Sequence, residues 1–69
     1  MDRRELTHRE IEIVKLAATG QTNMDIADEL EVSVAAVKRH LANVMIKWNV
    51  QNRTKLAVEA IRRGMVTRE

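Results

Sequence analysis

The chain has 69 residues, no cysteine, no proline, no phenylalanine or tyrosine, and a net charge of +2 from 12 basic and 10 acidic side chains. That length holds a single domain at most (1–69), and the lack of cysteine excludes disulfides and thiolate metal sites. No apolar run is long enough for a membrane span or a signal-peptide core, and His8 and His40 lie too far apart in sequence to form a local metal-ligand pair.

The charge is unevenly spread. Residues 1–32 carry four basic and eight acidic side chains, whereas residues 33–69 carry eight basic and two acidic ones. The halves are therefore −4 and +6, which predicts a molecule with one basic face. Ala, Val, Ile and Leu dominate the apolar set, which favours an all-helical chain. A core this small gains from idealised helix packing or from a partner subunit.

Four helices are expected. The first follows Thr7, where Thr7 and Glu10 have the spacing of a capping box and Leu6 and Ile11 that of a hydrophobic staple. Ile13, Val14, Leu16 and Ala17 supply its apolar face, and Gly20 ends it. The second is short, with Thr22 as N-cap, Asp25 as capping-box partner and Ile26, Ala27 and Leu30 as its buried stripe. Asp25, Asp28 and Glu29 read as N-terminal helix acids that suit the macrodipole. A break at Glu31-Val32 leads to Ser33, the N-cap of a third helix over Val34 to Trp48. Val37, Leu41, Val44 and Trp48 recur at helical spacing and predict one buried face, with Trp48 in the core. Lys38, Arg39, Ala42 and Ile46 fall on the other side. Asn49 ends this helix and Val50 returns to the core. Asn52 caps a fourth helix over about 53–63, with Leu56, Ala57, Ala60 and Ile61 inward and Gly64 beyond its end. Met24, Met45 and Met65 read as gap fillers or interface residues. Residues 1–4 and 67–69 are expected to fray.

Lys38, Arg39 and His40 stand near the start of the third helix, where the macrodipole disfavours cations. A cluster set against that preference points to an anionic partner outside the chain. A short helix, a three-residue turn and a longer helix with outward basic residues form the helix-turn-helix pattern, here over about 23–42. Lys38 and Arg39 would then face guanine acceptors and nearby phosphates. Taken singly they would read as a solvated helix face. His40, on the edge of the buried side, suits either internal packing or a phosphate contact.

The ordered set Leu6-Thr7, Arg9-Glu10, Gly20, Asn23, Ile26-Ala27, Leu30, Val37-Lys38, His40, Lys47, Val50 and Asn52-Arg53-Thr54 resembles the LuxR-type (GerE-type) DNA-binding domain. That domain terminates many bacterial response regulators and quorum-sensing regulators. The resemblance runs from Leu6 to about Val66. It implies a four-helix helix-turn-helix fold, a third helix in the major groove of double-stranded DNA, and dimerisation, often through the fourth helix; the few residues available there predict that the homodimer is weak. Base contacts map onto Lys38, Arg39 and Ala42, and DNA-backbone contacts onto Thr22, Asn23, Ser33, His40, Asn52 and Arg53. Arg53 is the stronger phosphate candidate of the last pair, because Asn52 is first a helix cap. Three positions depart from the usual pattern: Met24 replaces a basic residue, Ala36 a threonine and Trp48 a leucine.

The expected function is sequence-specific transcription regulation in the bacterial cytoplasm, as a stand-alone protein or as an output domain. RNA polymerase is a further candidate partner. No cofactor, metal or catalytic site is expected, since no phosphate-binding glycine loop or acid/base constellation is present. Val58, Arg62 and Met65 share a flank of the fourth helix and form the expected dimer seam. Two alternatives keep the packing but change the role: a sigma-factor region 4-like promoter-binding domain, and a helical protein-interaction module. The Asn52-Arg53-Thr54 cap and the well-formed fourth helix argue against the first.

Overall fold

A computed structural model describes residues 5–66, so the ends expected to fray lie outside the described residues. Four helices follow in order: α1 (His8–Ala18), α2 (Asn23–Leu30), α3 (Val34–Trp48) and α4 (Arg53–Arg62). Each begins at the residue its polar side chain marks. Thr7 Oγ1 accepts from Glu10 N at 3.1 Å, while Thr7 N donates to Glu10 Oε1 at 2.8 Å. Thr22 and Asp25 repeat this reciprocal pair. Ser33 Oγ accepts from Ala36 N and Asn52 Oδ1 from Lys55 N. Each cap satisfies an N–H that the helix leaves without an intrahelical acceptor.

All four helices also end alike. A residue at positive φ donates its N–H three residues back, and the next residue donates five residues back, which closes the last carbonyls. The pairs are Gly20 and Gln21, Glu31 and Val32, Asn49 and Val50, and Gly64 and Met65. Glycine serves two of the four. Asn49 accepts the left-handed conformation readily, but Glu31 adopts it at φ 56° with a full side chain.

The core consists of Ile13, Val14 and Ala17 from α1, Ile26 and Ala27 from α2, Val37, Leu41 and Val44 from α3, and Leu56 and Ala60 from α4. Helix α1 packs against the other three, and α2 packs on α3. The α2–α3 unit therefore rests on α1, which leaves the far side of α3 open.

Five details differ from the sequence expectation. Trp48 is only half-buried at the edge of the core, with the Arg63 guanidinium 4.5 Å from its ring centroid. Ala57 and Ile61 are half-buried, so the inner stripe of α4 is narrower than four residues. Asp28 and Glu29 lie in the last turn of α2, not its first, and only Asp25 is an N-terminal acid. Met24 is 63% exposed, so it fills no gap. Met65 lies beyond the end of α4 and packs back on the core, its N–H bonded to the Ala60 carbonyl. Of the expected seam of Val58, Arg62 and Met65, Val58 and Arg62 are exposed on α4, with the Arg62 guanidinium on Glu59, and Met65 is half-buried beyond the helix end.

Candidate nucleic-acid interface

Helix α3 separates its residues sharply. Val37, Leu41 and Val44 are buried, whereas Ala35, Lys38, Arg39, Ala42 and Ile46 are exposed. At 3.6 residues per turn those five fall within about 100° of arc, opposite the buried stripe. The first two turns present two cations and a methyl group. Neither Lys38 nor Arg39 has an acidic partner among the described residues. His40 lies at the border of the buried face. Its Nδ1 is enclosed without a hydrogen-bond partner among the described residues, so only Nε2 is available to an outside group.

A second cluster lies where α2 and α4 begin. Arg53, the first residue of α4, donates through Nη1 to Asn23 Oδ1 and through Nη2 to the Gln21 carbonyl at 2.7 Å. Those bonds span about thirty residues of sequence and join the start of α4 to the start of α2. The expected phosphate residue thus has its guanidinium engaged inside the protein.

The polar caps share one property. Thr22, Ser33 and Asn52 are exposed, and each uses its acceptor on a backbone N–H of its own helix. Each keeps a donor free: a hydroxyl proton in Thr22 and Ser33, an amide NH₂ in Asn52. Asn23 is half-buried and likewise uses its acceptor, on Arg53. Phosphate oxygens only accept, so free donors are what such a partner requires.

One ion pair escaped the sequence reading. Glu10, expected only as a capping-box residue, is 3% exposed and accepts from Lys47 Nζ at 2.7 Å. Lys47 also donates to the Glu5 carbonyl. Burial pushes the Glu10 carboxyl up, but the Lys47 bond and the Thr7 N–H outweigh it and hold the carboxyl below its ordinary value. The pair ties the first turn of α1 to the last turn of α3.

The sequence pattern of bacterial regulatory proteins, luxR family (GerE), matches residues 4–60. The chain belongs to that family. Among luxR-family relatives, it is 44% identical over 61 residues to the transcriptional regulatory protein LiaR of Bacillus subtilis. It is 41% identical over 61 residues to the transcriptional regulatory protein DegU of Brevibacillus brevis. The response regulator protein VraR of Staphylococcus aureus is 36% identical over the same length. Each match covers 88% of this chain but only 29%, 26% and 29% of the respective relative. The four-helix fold, with no strand among the described residues, agrees with that membership. No helix among the described residues is long and apolar enough to cross a membrane, and no group of three metal-ligating side chains is present among them.

Proposed function

We propose that this chain is the sequence-specific DNA-binding part of a bacterial transcription regulator, acting by binding and not by catalysis. One observation carries the reading. The exposed arc of α3 holds Lys38 and Arg39 in its first turns, opposite a fully buried stripe and without acidic partners among the described residues. Helix α3 enters the major groove. Lys38 and Arg39 face guanine O6 and N7, and the Ala42 methyl contacts a thymine methyl or passes close to a base edge. Thr22, Asn23, Ser33, His40 and Asn52 supply donors to the sugar-phosphate backbone. The likeness to the transcriptional regulatory proteins LiaR and DegU supports the transcriptional role. Two copies pair weakly through α4, around the exposed Val58, on a site of two half-sites. The protein works in the bacterial cytoplasm, and RNA polymerase is its downstream contact.

Selection of bound sites from random duplex DNA tests this directly. Enrichment of one motif containing G·C pairs, repeated about one helical turn apart, is the expected result. A pool that stays random while the protein remains folded would sink the reading.

A further inference from the structure

We infer that Arg53 is a positioning residue for DNA binding, acting through Asn23 and not by touching a phosphate itself. The inference rests on the DNA-binding reading above and assigns one residue a different role within it.

The argument starts from a placement that local preference disfavours. Arg53 is the first residue of α4, at the positive end of the helix dipole, where a cation is destabilising. The structure supplies a reason outside α4. The guanidinium reaches the Gln21 carbonyl, just past the end of α1, and the Asn23 side-chain oxygen at the start of α2. Helix α4 packs chiefly on α1, so Arg53 makes a side-chain bridge to a helix that α4 does not otherwise engage closely.

The polarity of that bridge decides what Asn23 can do. A guanidinium only donates and a phosphate only accepts, so the guanidinium can bond an amide only at its oxygen and a phosphate can bond it only at its N–H groups. Arg53 fixes Oδ1 toward itself. Nδ2, with its two N–H groups, is then directed away from Arg53 and remains free among the described residues. The charge on Arg53 also polarises the amide and strengthens those donors. Thr22, Ser33 and Asn52 reach the same state by capping their own helices. Asn23 stands inside α2, one residue after the cap, and has no such N–H to accept from. Arg53 provides it. The Gln21 bond holds the guanidinium in the plane this requires, since two parallel donors leave one orientation.

A lysine at position 53 keeps the charge but cannot form the two-acceptor fork. Arg53→Lys, Asn23→Ala and the double variant therefore separate positioning from direct contact. Binding to a selected duplex is measured at a temperature where every variant is folded, and melting is followed on the same samples. The expected result is a roughly tenfold loss for each single variant, equivalent to one charge-assisted hydrogen bond. The double variant should be no weaker than Asn23→Ala alone, because both changes remove one interaction. The dependence of binding on salt should stay the same in Arg53→Lys. Near-parental binding by Arg53→Lys would overturn the inference, since charge alone would then suffice. Losses that multiply in the double variant would also overturn it, as independent contacts do. A fall in melting temperature with unchanged binding would make Arg53 purely structural. Absence of duplex binding by the parent chain would defeat the DNA reading itself, an outcome distinct from the others.

Discussion

Lys38 and Arg39 are exposed on α3 and bond to no acidic group among the described residues, so their removal should be silent in the folded protein. Lys38→Ala and Arg39→Ala should each weaken specific binding by about 1–3 kcal/mol if the side chain makes a good base contact. Melting should change by less than about 0.5 kcal/mol. Calorimetry and titration on one preparation check both numbers, and a variant that melts early but binds normally would make that residue structural. Lys47 behaves in the opposite way. Lys47→Met leaves the Glu10 carboxylate enclosed with only the Thr7 N–H, which should cost about 2–3 kcal/mol at neutral pH. In the parent, the folded carboxyl lies below its ordinary value of 4.5, so its contribution is complete above that pH and is lost as pH falls through the folded value. Without Lys47 two of the causes that lower it are lost while burial still raises it, so the carboxyl moves up from its place in the parent. The gap between parent and variant should therefore shrink as pH drops from 7 toward 4. A gap that stays constant in pH-dependent denaturant melts would show that the ion pair contributes nothing.

At the level of elements, helix starts were readable because a cap needs only a short polar side chain three residues before an N–H. Thr7, Thr22, Ser33 and Asn52 all cap as their spacing predicts. The ends at Gly20, Asn49 and Gly64 were equally readable, since those residues tolerate positive φ. Glu31 gave no such signal. Its conformation is imposed by the tight turn that lets Val32 pack on the core and Ser33 start α3. The acids of α2 misled for a related reason. Dipole preferences are worth about 0.3–1 kcal/mol and yield when a turn fixes the helix end elsewhere. Glu31 therefore combines a strained backbone with a carboxylate at a helix C-terminus, beside Asp28 and Glu29. Glu31→Gly relieves both, offset by the greater freedom of glycine in the unfolded chain. A net stabilisation of about 0.5–1 kcal/mol is expected, or a rise of roughly 2–8 °C in melting temperature for a domain this size. Asn49→Gly should gain less. A lower melting temperature for Glu31→Gly would mean that its side chain holds the turn. The bridges that complete the candidate site had no local signature at all. Arg53 meets Asn23 and Lys47 meets Glu10 across 30 and 37 residues, so only the packed helices bring them together.

For the whole molecule, the +6 balance of the second half overstates the charge available to a partner. Lys47 is paired with Glu10, and Arg62 and Arg63 both pair with Glu59, whose carboxyl they hold below its ordinary value. Among the described residues of that half, Lys38, Arg39 and Lys55 have no acidic partner, and Arg53 bonds only to neutral acceptors. With Arg53 held on Asn23 and Gln21, at most three phosphates are neutralised per copy, which predicts a slope no steeper than about −3 in log K against log salt, at roughly −0.9 for each phosphate. Counting every cation of the half would predict a steeper dependence. The same titration reads the number of copies. On a single half-site the slope should have the value above, and on a palindromic site it should nearly double, because two copies release two sets of counterions. The exposed Val58 is the apolar group on α4 best placed to join them. With Met65 folded back, little else adds to the seam, so pairing without DNA should be weak and DNA should supply the proximity. Val58→Glu should keep the half-site slope and affinity while losing cooperative occupancy of the palindrome. Its melting should be nearly unchanged, since Val58 contributes little to the core. A flat salt dependence would remove the phosphate contacts altogether. Equal slopes on both sites would show that the protein binds as a monomer, and retained cooperativity in Val58→Glu would place the contact between copies on another surface.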